Sequence, residues 1–197
     1  MIQRLLLTFI FLSAILFAGR SSAQGLKRGD RLPDAGFTVL NGASFNTQSL
    51  KGKSGVLVIF VSTQCPVSNA YNARYNGLYQ LTRDANIGFF VIYPNVTESA
   101  TEIDLHAKEK GFRFSVVRDN NAGIAKQFGA TVTPEAFLFD ASLKLIYRGR
   151  IDDNQREDRV TQKNLEEAIA ALLSGSAPLI PVTPARGCVI KTTPDDF

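Results

Sequence analysis

The apolar positions of this chain fall into two kinds of run. Gly55–Ser62 ("GVLVIFVS") and Ile87–Pro94 ("IGFFVIYP") are apolar at almost every step and rich in β-branched and aromatic residues. That pattern predicts two strands, the first a central one buried on both faces. Between them Ala70, Tyr71, Tyr75, Leu78, Tyr79 and Leu81 recur at three- and four-residue spacing, which predicts one long helix after residue 65. The alternation continues downstream. Glu98–Lys110 reads as an amphipathic helix stopped by Gly111, "FRFSVVRD" (112–119) as a strand, and "AGIAKQFG" (122–129) as a short helix closed by Gly129. "EAFLFD" (135–140) and "LKLIYRGRI" (143–151) read as two strands of a hairpin turning at Asp140-Ala141-Ser142. "NLEEAIAALLSG" (164–175) is a last helix with Gly175 at its stop. Ahead of all these, Phe37–Leu40 and Ser44–Asn46 flank Asn41-Gly42, a turn pair that predicts an N-terminal β-hairpin. Strand–helix alternation ending in a hairpin and a helix implies an α/β fold, a central mixed β-sheet with helices on both faces.

The two ends differ from this body. Residues 1–23 carry Arg4, an apolar run from Leu5 to Ala18, and small residues at Ser21-Ser22-Ala23. The run is about 14 residues, short of the ~20 that span a bilayer, so a cleaved signal peptide is expected rather than a membrane anchor. The expected product is exported, periplasmic or secreted, with no stable membrane insertion. The body then covers residues 24–175. From Ser176 the chain has four prolines and no helical period, which predicts an extended tail over residues 176–197 carrying Cys188.

Charge excludes little except nucleic acid. The 197-residue chain has a formal net charge of +4, and cleavage would remove Arg4 and Arg20 but no acid. No dense basic stripe remains. Export matters more, because it permits disulfides, and the chain has only two cysteines, Cys65 and Cys188.

Cys65 sits where a strand gives way to a helix, in "FVSTQCPVSNAY" (60–71). Pro66 fits the first helical turn, where its missing N–H costs nothing. A thiol at that place meets free backbone N–H groups and the positive end of the helix dipole, which favour the thiolate. Such surroundings lower a cysteine pKa from about 8.5 to roughly 3.5–7.5. The polar neighbours Ser62, Thr63, Gln64, Ser68 and Asn69 predict an accessible, reactive sulfur rather than an inert buried one. Downstream, Thr133-Pro134 precedes an apolar strand, and the proline is a candidate for a cis bond.

The strand–Cys65–Pro66–helix junction, "TVTP" before a strand and "LKLIYRGRIDD" as the closing hairpin strand together resemble the thioredoxin-like superfamily, over about residues 31–175. The chain is similar in particular to exported redoxin-domain proteins. The resemblance implies a thioredoxin-like fold. It also implies that the peptide bond before Pro134 receives substrate backbone as an added strand, a role carried onto Thr133 and Pro134. Two departures matter. Thioredoxin-type sites have a second cysteine where this chain has Ser68, and a hydroxyl cannot resolve a mixed disulfide. The peroxiredoxin pattern of Pro, Thr/Ser and Cys meets Val58, Ser62 and Cys65, and its usual arginine meets Pro134. Arg148 or Arg150 would have to supply that charge.

The resemblance makes Cys188 the candidate resolving thiol, reached by the tail bending back. A permanent disulfide pinning the tail to the body is the other reading. The expected function is a thiol–disulfide oxidoreductase with Cys65 as nucleophile and Cys188 as partner. Ser62, Thr63 and Pro66 would contact the sulfur or substrate, and Thr133 and Pro134 would orient the incoming backbone. Peroxide reduction and a non-catalytic binding module are the alternatives. The expected partners are protein or small-molecule thiols and disulfides, or peroxide, with an external reductant. No cofactor is expected, and no metal. Copper chaperones of this fold need two nearby cysteines and a histidine, whereas Ser68 breaks the set and His106 is the only histidine. His106 is expected as a surface or boundary residue, and the mixed-charge run "RIDDNQRED" (150–158) as a solvated loop, with Asp152 and Asp153 near the edge of the site as the other reading.

Overall fold

The computed structural model describes residues 25–34, 36–40, 42–47 and 49–193. The expected signal peptide (1–23), Asn41 of the hairpin turn and the last four residues lie outside them. In chain order the strands are β1 (Phe37–Thr38), β2 (Ser44–Phe45), β3 (Gly55–Phe60), β4 (Ile87–Tyr93), β5 (Ser115–Arg118), β6 (Val132–Thr133), β7 (Glu135–Asp140), β8 (Leu145–Gly149) and β9 (Cys188–Val189). The α-helices are α1 (Pro66–Asn69), α2 (Asn72–Asp84), α3 (Ala100–Glu109), α4 (Gly123–Phe128) and α5 (Asn164–Leu173).

Five strands form the central sheet in the order β5-β4-β3-β7-β8. β3 runs parallel to β4 and antiparallel to β7, so the sheet is mixed. All six residues of β3 and all seven of β4 are buried, as their unbroken apolar runs require. Their side chains alternate between two cores. Leu57 and Ile59 face a cluster with Tyr75 of α2, Ile103 of α3 and Leu165 of α5. Val56, Val58 and Phe60 face a second cluster built from Phe37 of the hairpin, Phe128 of α4 and Ile190 of the tail. The fold is thus thioredoxin-like, with helices on both faces and the N-terminal hairpin in place.

The helix expected after residue 65 is broken. α1 ends at Asn69, and α2 starts afresh at Asn72 after Ala70-Tyr71. The apolar spacing masks this break, because Tyr71 within it and Tyr75 beyond it pack into the same core. α3 begins later than its amphipathic pattern implied. Ser99 caps it through a capping box with Glu102, which leaves Glu98 outside the helix and fully buried.

The tail is folded onto the body. Arg148 N–H donates to Pro181 O (3.0 Å) and Thr183 N–H to Arg148 O (3.0 Å), so residues 181–183 run beside β8. The Thr183 hydroxyl lies 2.7 Å from the Tyr147 hydroxyl and accepts from Arg150 N–H at 3.0 Å. Gly149 permits this crossing: its φ is +137°, and a Cβ there would overlap the Thr183 carbonyl.

Candidate active site

Cys65 is the residue that caps α1. Its backbone is extended, Pro66 occupies the first turn, and Ser68 N–H donates to Sγ at 3.3 Å. A helix of four residues has little macrodipole to offer. The stabilisation of negative charge on this sulfur therefore comes from that one N–H rather than from a long helix. On the other side, Sγ lies 3.2 Å from the Thr133 carbonyl oxygen. The Thr133–Pro134 bond is cis.

Cys65 is disulfide-bonded to Cys188, with Cα atoms 5.8 Å apart, inside the usual range for such a bridge. The bond spans 123 residues of sequence. Cys65 is 1% exposed, against the expectation of an accessible sulfur. Its polar neighbours bear on the difference: Ser62 and Ser68 are buried, and the loop's polar groups bond within the protein. The Ser62 hydroxyl donates to Glu98 Oε1 at 2.5 Å, the Thr63 hydroxyl at 3.1 Å and Gln64 N–H at 3.2 Å. Asn95 Nδ2 donates to the Ser62 hydroxyl at 3.0 Å. The hydroxyls expected to meet sulfur or substrate are thus engaged with a buried carboxylate. Glu98 was not singled out by sequence reasoning, although the Ser99–Glu102 capping box was legible and would have placed it before the helix.

Ser68 answers for the missing second cysteine. Its buried hydroxyl accepts from Ser62 N–H at 3.1 Å and lies 3.1 Å from the Tyr75 hydroxyl. It ties the strand end to α2. His106 also supports the loop. Its Nε2 lies 2.8 Å from Asn69 Oδ1 and its Nδ1 2.9 Å from the Tyr93 hydroxyl, while Asn69 Nδ2 donates to Thr63 O at 2.7 Å. Burial holds the imidazole below its usual pKa, with Lys110 adding to the effect. A neutral ring that donates from Nε2 and accepts at Nδ1 fits both partners.

Pro66 is exposed and Pro134 buried. Beside Pro134 a cavity of about 360 Å³ opens between Val67, Tyr71, Asp152, Asp153 and Gly187. Both aspartates line this cavity, and Asp152 is buried rather than part of a solvated loop. Asp152 bonds the Arg74 guanidinium and accepts from the Tyr71 hydroxyl at 2.8 Å. Burial, and then that carboxylate, push the Tyr71 phenol above its usual pKa. Arg148 pairs with Glu135 at 2.7 Å and bonds Leu26 O and Gly129 O. Arg150 bonds Asn164 and Gln162. Both guanidinium groups proposed to stand in for a peroxiredoxin arginine are committed to these other partners.

A model of the Redoxin family matches residues 27–169. The chain belongs to the Redoxin family. No curated protein matches it. Among solved structures, this redoxin is similar to a hypothetical protein of Sinorhizobium meliloti 1021, with 26% identity over 86% of this chain and 97% of that one and a TM-score of 0.79. An uncharacterized conserved protein of Geobacillus kaustophilus matches at 25% identity, covering 86% and 94% of the two chains, with a TM-score of 0.78. A secreted Mycobacterium tuberculosis disulfide oxidoreductase, homologous to the DsbE of E. coli, shares the fold at 19% identity, over 57% and 80% of the chains, with a TM-score of 0.51. The Redoxin match stops at Ile169, ahead of the tail that carries Cys188.

Proposed function

We propose that this redoxin is an exported thiol–disulfide oxidoreductase whose working pair is Cys65 and Cys188. The observation that carries the reading is the placement of the bond. One sulfur caps α1 under the Ser68 N–H, and the other arrives on a tail segment from outside the matched domain. Cys65 has the stabilised thiolate, and Cys188 supplies the resolving thiol that Ser68 cannot. The apolar run and small residues of positions 5–23 support export, a compartment that allows such a bond to form. The commitment of Arg148 and Arg150 to other partners favours disulfides over peroxides as the electrophile.

The test is redox equilibration followed by exchange. In defined dithiol buffers the Cys65–Cys188 bond should open at a potential well above about −300 mV, the region of structural disulfides. The reduced protein should then reduce insulin disulfides, and Cys65→Ser should abolish that. A bond that stays closed to below that potential, with no insulin reduction, would establish a permanent staple instead.

A further inference from the structure

The strand position beside Thr133 is already filled, and the chain fills it itself. β9 pairs antiparallel with β6, Cys188 opposite Thr133 and Val189 opposite Val132. Ile190 N–H donates to Thr131 O at 3.0 Å. On the other flank Lys191 N–H donates to Asn95 Oδ1 at 2.8 Å, and Val96 N–H to Lys191 O at 3.1 Å. Side chains alternate as in any strand. Cys188 points to Cys65, Val189 is 74% exposed, and Ile190 is 4% exposed within the core cluster of Val58, Phe60 and Phe128. The residue before the cysteine is constrained most. A Cβ on Gly187 would overlap the Thr133 carbonyl and come within 2.6 Å of its carbon.

We propose that residues 187–190 are a template of the substrate. The site takes an extended polypeptide segment of the form Gly-Cys-x-Ile, or another large apolar residue in the last place, whose cysteine is in a disulfide. Main-chain bonds to Thr131–Thr133 supply attachment regardless of sequence, and the glycine and the apolar residue supply choice. The proposal rests on the oxidoreductase reading above. In the reaction the Cys65 thiolate attacks the substrate cysteine. The substrate S–S bond breaks, a Cys65–substrate bond forms, and the other substrate sulfur leaves as thiolate. Cys188 thiolate then attacks Cys65 Sγ, re-forms the internal bond and expels the first substrate sulfur. Two electrons pass from the protein's dithiol to the substrate, and an external dithiol restores them. Because Cys188 returns as β9, the tail retakes the strand position as it takes the bond. Release of the substrate strand and resolution of the mixed disulfide are one event.

The full-length Cys188→Ser protein, reduced, tests this with synthetic peptides. The parent is ARGCVIK (the sequence of residues 185–191), its cysteine joined to glutathione, so that capture by Cys65 releases glutathione. Two further peptides carry Gly→Ala before the cysteine or Ile→Asp after it, and oxidised glutathione gives the basal rate. Mass spectrometry should show the parent captured at least tenfold faster than either variant peptide. The tail of this protein still competes, so the series is repeated on Cys188→Ser/Gly187→Ala, whose own tail fits poorly. There the parent should react faster still, with the ranking kept. Equal rates for the three peptides in both proteins would overturn the template while leaving the oxidoreductase standing. Failure of every peptide and of oxidised glutathione would take both down.

Discussion

Cys188 lies directly opposite Thr133 in antiparallel register and is bonded to Cys65, so one tail residue pairs with β6 and closes the disulfide at once. The two sulfurs are unequal. Cys65 is sealed at 1% exposure, whereas Cys188 is partly exposed. An external thiolate therefore reaches Cys188 first, and the sulfur it expels, Cys65, leaves as a thiolate held by Ser68 N–H. Brief treatment of the oxidised protein with reduced glutathione, quenched in acid, should put glutathione on Cys188 and leave Cys65 free. Peptide mapping that finds most of it on Cys65 would contradict this order.

Ser68 should prove structural rather than catalytic. Ser68→Ala leaves the buried Ser62 N–H without its acceptor, at a cost of roughly 1–3 kcal/mol. Tyr75→Phe removes the hydroxyl that also bonds Ser68 O at 3.0 Å, and should cost about 1 kcal/mol. The groups share one network, so the double variant should lose less than the two single losses together. Urea unfolding of the three variants measures this.

How much of this site could be read in advance follows from what each residue's pattern records. Val56–Phe60 and Ile87–Tyr93 are buried on both sides, and an unbroken apolar run admits few other readings. Cys65-Pro66 was equally legible, since proline in a first turn fixes where the helix begins. Exposure was not. The polarity of Ser62 and Ser68 reflected hydrogen bonding inside the protein, and a polar side chain looks the same in sequence whether its partner is water or Glu98. The pairing of Cys188 with Cys65 follows from the resemblance, but the strand that delivers it is hidden for another reason. That strand is two residues long and pairs with one equally short, too little for any periodicity to show.

Glu98 accounts for the shape of the Cys65 loop. Its Oε1 collects Ser62, Thr63 and Gln64, while Oε2 is buried with no hydrogen-bond partner among the described residues. Glu98→Ala leaves the Ser62 and Thr63 hydroxyls without this acceptor, while Gln64 N–H keeps the Ser62 hydroxyl at 3.0 Å, and should cost roughly 1–3 kcal/mol, with slower alkylation of Cys65 by iodoacetamide in the reduced protein. Glu98→Gln keeps one acceptor oxygen and should lose less on both counts. Equal losses for the two would show that the oxygen's bonds are not what holds the loop.

His106 gives the fold a pH dependence whose sign is fixed by its environment. Burial, with Lys110, lowers its folded pKa, and Glu109 opposes this only in part. The unfolded chain takes up its proton near pH 6.5, and the folded protein does so only at lower pH. The stability that the neutral ring contributes is therefore complete above about pH 6.5 and is lost as the pH falls through the depressed folded value. The bonds at stake are those to Asn69 and Tyr93, and through Asn69 the hold on Thr63 O beside Cys65. Carboxylates also lose stability in acid, so the readout is a difference. Between pH 7.5 and 5 the thermal midpoint of the native chain should fall further than that of His106→Gln, whose amide stays neutral throughout. If the two midpoints fall in parallel, the ring carries none of the effect.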